Sequence, residues 1–83
     1  MPMATVSIRD FSFIPSQLTV VADDSVTWTN DDGTDHTVTA DDGSFDSGPF
    51  GPGASFTHTF RQSGTFPYHC DIHPDMRATV TVT

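Results

Sequence analysis

The chain has 83 residues and is strongly acidic, with eleven Asp or Glu against three Lys or Arg and a formal net charge of −8. Such a surface repels nucleic-acid phosphates, which excludes nucleic acid as a partner, and it would steer a basic partner toward the protein. No stretch is long and apolar enough to predict a membrane span, and the length predicts one domain over residues 1–83.

Taken in chain order, the predicted elements are short strands. Apolar alternation places Val6 with Ile8 on one face of the first strand, and Val26 with Trp28 on one face of the third. Clusters of Gly, Pro, Asn and Asp separate the strands, and no segment has a helical period. This pattern predicts an all-β sandwich or small barrel. The predicted strands are ATVSIRDF, QLTVVA, SVTWTN, HTVTA, SFTHTF, TFPYHC and RATVTVT.

Metal-binding side chains are concentrated near the last two strands. The single cysteine, Cys70, ends the sixth predicted strand, and His73 and Met76 follow it in the next loop. Thiolate and thioether sulfurs are soft ligands and imidazole is borderline, so this set selects copper over magnesium, calcium or manganese. His36, between a polar loop and a strand, is well placed to complete it. Two His and one Cys with a weak axial Met form the blue-copper electron-transfer arrangement.

Taken singly, these residues have ordinary structural explanations. A lone Cys is commonly a small buried hydrophobe, and a loop Met commonly fills a gap in packing. Their joint spacing, Cys-x2-His-x2-Met, favours a metal site instead. An enzyme in which Cys70 is a nucleophile and His73 or His36 its base gives Met76 no role, so we do not expect an enzyme.

The segment YHCDIHPDM, with DHTV upstream, resembles the cupredoxins, the family of type 1 blue copper proteins. The segments DSVTWTN, GPGASFTHTF and GTFPYHC also follow the family's order. The resemblance implies a Greek-key sandwich or barrel of seven to eight strands, with the additional strand in the region 41–54. It implies one copper ion, cycling between Cu(II) and Cu(I), held by His36, Cys70, His73 and Met76. The implied function is single-electron transfer between redox partner proteins; the alternative is a copper carrier or buffer without a redox role.

The resemblance also assigns roles to residues around the ligands. Thr37 stands where many relatives have Asn; its N–H is expected to face the thiolate and its hydroxyl to donate to Asp71. Ile72 stands where short-loop relatives have Pro, so it is expected to restore an N–H near the Cys70 sulfur. Independently of the resemblance, strand alternation places His58 on one face with Phe56 and Phe60, so His58 is expected to be buried and hydrogen-bonded.

The resemblance implies that the second histidine, His73, reaches the surface inside an apolar patch on which a partner docks. We expect a monomer whose partner has a basic docking face, and we expect His69 to face solvent. Aspartates near His36, Asp31 and Asp32 among them, either steer that partner or are ordinary solvated loop charge. The N-terminus lacks signal-peptide regions, so the chain is either cytoplasmic or a trimmed mature domain; the family implies the periplasmic or extracellular side. The predicted docking patch consists of Phe13, Ile14, Pro49, Phe50 and Pro74.

Overall fold

A computed structural model of the chain describes residues 3–83, which form eight β-strands. These residues contain no helix, and therefore none that could cross a membrane. The predicted all-β class is confirmed. The strands are β1 (Met3–Arg9), β2 (Ser12–Ile14), β3 (Gln17–Val20), β4 (Ser25–Asn30), β5 (Thr39–Ala40), β6 (Ser55–Thr59), β7 (Gly64–His69) and β8 (Arg77–Val82).

The strands form two four-stranded sheets, in the orders β2-β1-β4-β6 and β3-β8-β7-β5. Strand β1 is parallel to β4 and β3 is parallel to β8, whereas the other pairs are antiparallel. Because β3 pairs in a different sheet from β2 and β4, the chain crosses repeatedly between the sheets. The predicted sandwich of seven to eight strands is confirmed.

The core lies between the sheets because apolar side chains alternate along the strands. Val26 and Trp28 of β4 are fully buried, and Tyr68 of β7 meets Trp28 edge to face with ring centroids 5.5 Å apart. The Trp28 Nε1–H donates to the Tyr68 hydroxyl at 3.1 Å, so both polar atoms are satisfied in the core. Burial raises the pKa of Tyr68 to about 12, although the bond from Trp28 works in the opposite direction.

The additional strand is not where the sequence predicted it. Region 41–54 contributes isolated bridges, Thr39 with Asp46 and His36 with Phe50, rather than a strand. The additional strand is β2, which folds back on β1 with Arg9 paired to Ser12. The two residues between them, 10 and 11, have φ values of 53° and 55°, a conformation that usually selects Asn, Asp or Gly. Because Phe11 is an unusual residue for this turn, the sequence did not indicate a hairpin.

Candidate metal centre

Three predicted ligands converge at one end of the sandwich. The donor atoms of His36, Cys70 and His73 all lie within 4.8 Å of one another. The Cys70 Sγ is 3.6 Å from Nδ1 of His36 and 3.8 Å from Nδ1 of His73. His36 and Cys70 are fully buried, whereas His73 is partly exposed. The site therefore has two inner donors and one donor near the surface.

The donor spacing fits a small metal ion. Bonds of the length seen for zinc, roughly 2.3 Å to sulfur and 2.0–2.1 Å to nitrogen, would place sulfur and nitrogen about 3.8 Å apart if they met at about 120°. The two observed sulfur–nitrogen distances, 3.6 and 3.8 Å, lie close to that value. One thiolate and two imidazoles suit copper far better than a hard cation, so the residues present fit the predicted ion.

Backbone hydrogen bonds fix the segments that carry the ligands. His36 exchanges two bonds with Phe50, its N–H donating at 3.2 Å and its carbonyl accepting at 2.9 Å. The loop after β7 is closed by the Cys70 N–H, which donates to the carbonyl of Met76 at 3.1 Å. Inside that loop, the Met76 N–H donates to the carbonyl of His73 at 2.9 Å. The segment from Cys70 to Met76 thus forms a tight loop that is closed by its own backbone hydrogen bonds.

The fourth predicted ligand, Met76, lies directly before β8 and is 4% exposed. Its backbone ties it to both Cys70 and His73, so its side chain starts close to the other donors. A thioether is a weak, soft ligand that suits a long axial position on copper.

Asp32 contacts the His36 ring on the side that faces away from Cys70. The Nε2 of His36 is 2.8 Å from Oδ2 of Asp32, while Nδ1 faces Cys70. The same carboxylate accepts the backbone N–H groups of Asp10 and Phe11 at 2.8 and 3.0 Å. Desolvation raises the pKa of Asp32, but the bonds from Phe11, His36 and Asp10 together hold that pKa below its ordinary value. The sequence did not indicate this role for Asp32, although Asp32 lies four residues before His36.

Thr37 contacts both the sulfur of Cys70 and the backbone of the next residue, Asp71. Its N–H donates to the Cys70 Sγ at 3.3 Å. Its hydroxyl accepts the backbone N–H of Asp71 at 2.8 Å, so the expected donation from this hydroxyl to Asp71 is wrong in direction. The expected N–H bond from Ile72 is also wrong, because among the described residues only Thr37 donates a backbone N–H to this sulfur. Ile72 instead lies on the surface, 45% exposed.

His69 lies on the outer face and is partly exposed, but two carboxylates hold its ring, which the sequence did not indicate. Its Nδ1 bonds to Asp41, and its Nε2 lies 2.9 Å from Asp71. The Arg77 guanidinium donates to the other oxygen of Asp41 at 2.7 Å. The hydrogen bond to Asp41 raises the pKa of His69, opposed by desolvation and reinforced by Asp71. These interactions brace the residues on both sides of Cys70.

The surface around His73 differs in part from the predicted docking patch. Phe13 is 3% exposed and packs against Tyr68 in the core, so its assignment to the patch is wrong. It faces inward because side chains alternate along β2. Phe11 was missed: it is 56% exposed, and its ring meets that of His73 edge-on at 5.1 Å. The other predicted patch residues lie at the surface. Ile14, Pro49 and Pro74 are exposed, and Phe50 is partly exposed.

His58 lies on β6 and is not among the clustered metal donors. It is only partly buried, and no hydrogen bond among the described residues involves its side chain, so it is not the buried, hydrogen-bonded residue that was expected. Its ring stacks on Phe45 with centroids 4.8 Å apart and meets Phe60 edge to face at 4.8 Å. Desolvation lowers the pKa of His58. It is a packing residue and takes no part in the metal centre.

Similar proteins share this architecture. A family model described as a cupredoxin-like domain matches residues 1–82. The plastocyanin of Scenedesmus fuscus is 32% identical over 83 residues, covering 84% of this chain and 85% of the plastocyanin. The amicyanin of Paracoccus denitrificans is 32% identical over 87 residues, covering 93% of this chain but only 63% of the amicyanin.

A solved structure adds to these matches. The purple cupredoxin from Nitrosopumilus maritimus superposes with a TM-score of 0.89 and 30% identity, covering 96% of this chain and 99% of that one. Together with the Cys and His donors that the fold brings together, these matches confirm the predicted copper cofactor.

Proposed function

The chain belongs to the cupredoxin-like domain family, and we propose that it transfers single electrons between redox partner proteins. The observation that carries the proposal is the position of the Cys70 Sγ, buried and 3.6 and 3.8 Å from two imidazole Nδ1 atoms. Bound copper supplies a one-electron couple, Cu(II)/Cu(I). We assign the ligand positions to His36, Cys70, His73 and, as the weak axial ligand, Met76.

Electron transfer is favoured when the ligands barely move between redox states, and this chain supplies a rigid frame. His36 is held at its backbone by Phe50 and at its ring by Asp32. Cys70 is held by the carbonyl of Met76 and by the Thr37 N–H. That N–H stabilises negative charge on the sulfur, and hydrogen bonds and the apolar shell around such a ligand tune the reduction potential.

A partner is proposed to dock at the end of the sandwich where His73 reaches the surface. Phe11 and Ile72 are 56% and 45% exposed there, and they extend the apolar surface of Pro49, Phe50 and Pro74. The net charge of −8 suits a partner with a basic docking face. We further propose a non-enzymatic monomer that works on the periplasmic or extracellular side.

The test is to titrate the purified protein with Cu(II) and record the visible spectrum. We expect an intense thiolate-to-copper absorption that saturates at one equivalent. The matched control is Cys70→Ala, which keeps both histidines and should show only weak copper absorption. No intense band in the wild-type protein would contradict the proposal.

Voltammetry of the same sample separates electron transfer from the alternative of a copper carrier. An electron carrier should give a reversible couple and keep its copper in the Cu(I) state when a chelator is added. Rapid loss of copper on reduction would favour the carrier.

A further inference from the structure

We propose that Asp32 is a positioning residue for the copper site, and that its one carboxylate orients the His36 imidazole and also holds the turn that places Phe11 over the ligands. The proposal rests on the proposed function, because it gives Asp32 a role toward the electron-transfer centre. It is carried by three contacts of a single side chain that is 11% exposed.

The first contact fixes a ligand. Nδ1 and Nε2 lie on different sides of the imidazole ring, so an Nε2–H that donates to Asp32 leaves the lone pair of Nδ1 free to face Cys70. The observed distances, 2.8 Å to Asp32 Oδ2 and 3.6 Å to Cys70 Sγ, match that tautomer. Among the described residues no other group bonds Nε2. A carboxylate in this position also makes the imidazole a stronger electron donor to the metal.

The other two contacts hold the β1–β2 turn. The N–H of Asp10 donates to Oδ1 of Asp32, and the N–H of Phe11 donates to Oδ2, at 2.8 and 3.0 Å. Both turn residues have left-handed φ values, 53° and 55°, which non-glycine residues rarely adopt. The carboxylate gives this turn two charge-assisted hydrogen bonds that favour its unusual conformation.

The turn delivers Phe11 to the metal centre. The Phe11 ring meets His36 at 5.8 Å and His73 at 5.1 Å between centroids, with interplanar angles of 81° and 74°. Because Phe11 is also 56% exposed, it lies between the ligands and an approaching partner. The Asp32 carboxylate therefore both orients the His36 ring and holds the turn that carries Phe11, the residue that covers His73.

Asp32 is itself held in place. Its N–H donates to Oδ1 of the fully buried Asn30 at 2.9 Å. The amide of Asn30 in turn donates to the carbonyls of Thr34 and Phe50 at 2.8 and 3.0 Å. The carboxylate thus projects from a turn that is held by hydrogen bonds, as a positioning role requires.

The neighbouring Asp31 provides a matched control for the loss of charge. It is exposed, and its carboxylate accepts from the hydroxyl of Ser7 without touching His36 or the β1–β2 turn. Asp32→Asn and Asp31→Asn each remove one negative charge at adjacent positions. A difference between the two variants therefore reports the contacts of Asp32 rather than the general electrostatic field.

Copper affinity, measured by competition with a chelator, and the reduction potential are compared in both variants. Asp32→Asn removes the negative charge and one of the two acceptor oxygens that serve His36 and the turn. Mutation of a residue that hydrogen-bonds a metal ligand typically causes an affinity loss of about 10- to 100-fold. We expect such a loss, with a higher reduction potential, for Asp32→Asn, because a weaker imidazole donor favours Cu(I). Asp31→Asn should keep its affinity near that of the wild type. Equal affinities and potentials in the two variants would overturn the proposal.

Hydrogen exchange followed by NMR tests the same contacts without a variant, in the copper-free protein and in its Cu(I) form. The His36 Nε2–H and the N–H groups of Asp10 and Phe11 should all be protected from exchange. Exchange of the three protons at the rate of exposed loop amides would overturn the proposal, even if Asp32→Asn fails to fold. The proposed function and this proposal can fail separately. A wild-type protein that binds no copper would contradict the proposed function. The exchange rates in the copper-free protein would still show whether the Asp32 carboxylate holds the His36 ring and the β1–β2 turn.

Discussion

The N–H of Thr37 donates to the Cys70 sulfur at 3.3 Å, while the Thr37 hydroxyl accepts the N–H of the next residue, Asp71, at 2.8 Å. One residue that is 2% exposed therefore connects the segment after His36 to the cysteine sulfur and to the backbone of the residue that follows the cysteine. The hydroxyl also lies 2.9 Å from that of Thr39. The two hydrogen-bonding groups of Thr37 are separable by mutation, because the N–H belongs to the backbone and the hydroxyl to the side chain.

Thr37→Val should destabilise the protein while leaving the bond to the sulfur available. The change removes the acceptor of the Asp71 N–H, and an unsatisfied buried polar group costs about 1–3 kcal/mol. The free energy of unfolding, measured with denaturant on the copper-free protein, should fall by about that amount. Thr37→Ser keeps the hydroxyl, so its free energy of unfolding should fall less than that of Thr37→Val. If the Val and Ser variants are equally stable, the hydroxyl does not contribute as described.

Copper should raise the melting temperature. The ion binds donors that come together only in the folded state, so its binding free energy adds to the stability of that state. It links His36 to Cys70 across 34 positions of the chain. Thermal unfolding with and without one equivalent of copper provides the measurement, with Cys70→Ala as the control that should lose most of the shift. An identical melting temperature in both conditions would contradict a native copper site.

Much of the fold could be predicted because alternation is a strong local signal. Val26 and Trp28 are buried as the strand pattern predicted, and the metal-binding types His36, Cys70 and His73 converge. The β2 strand was missed because its hairpin depends on contacts from Asp32, which is distant in sequence. Local residue preference carries no information about such a contact.

The surroundings of the ligands were less predictable for the same reason. Whether a Thr37 hydroxyl donates or accepts depends on which group of Asp71 faces it, and here that group is the backbone N–H. His69 faces outward as alternation predicts, but the two carboxylates that hold it come from different segments. Sequence spacing identified the residue types of the site but not their hydrogen-bond partners.

His58 should make stability depend on pH in mildly acidic solution. Desolvation lowers its pKa in the folded state, so the unfolded chain binds the proton more readily. The stability that the neutral ring contributes is fully present above the unfolded pKa of about 6.5 and is lost as pH falls toward the lower folded pKa. Denaturant unfolding of the copper-free proteins provides the measurement. The free energy of unfolding of the wild type should fall relative to that of His58→Phe as the pH drops below about 6.5. A stability difference that does not change with pH would contradict this assignment.

Tyr68 should make the protein lose stability in strongly alkaline solution. Burial raises the folded pKa to about 12, against an ordinary value of 10.0. The neutral phenol therefore stabilises the fold fully below about pH 10, and a shift of this size corresponds to about 3 kcal/mol that is lost as pH rises through 12. Because the chain has one Tyr, tyrosinate absorbance follows this group alone.

The matched variant is Tyr68→Phe, which leaves the buried Trp28 Nε1–H without its 3.1 Å acceptor. At neutral pH we expect it to be less stable than wild type by about 1–3 kcal/mol. Since phenylalanine does not titrate, that deficit should shrink above about pH 10 as the wild-type protein loses its own contribution. Denaturant unfolding of both proteins between about pH 8 and 12 measures the difference. An absorbance titration centred near the ordinary value, with a deficit independent of pH, would show that the phenol is not desolvated between the sheets.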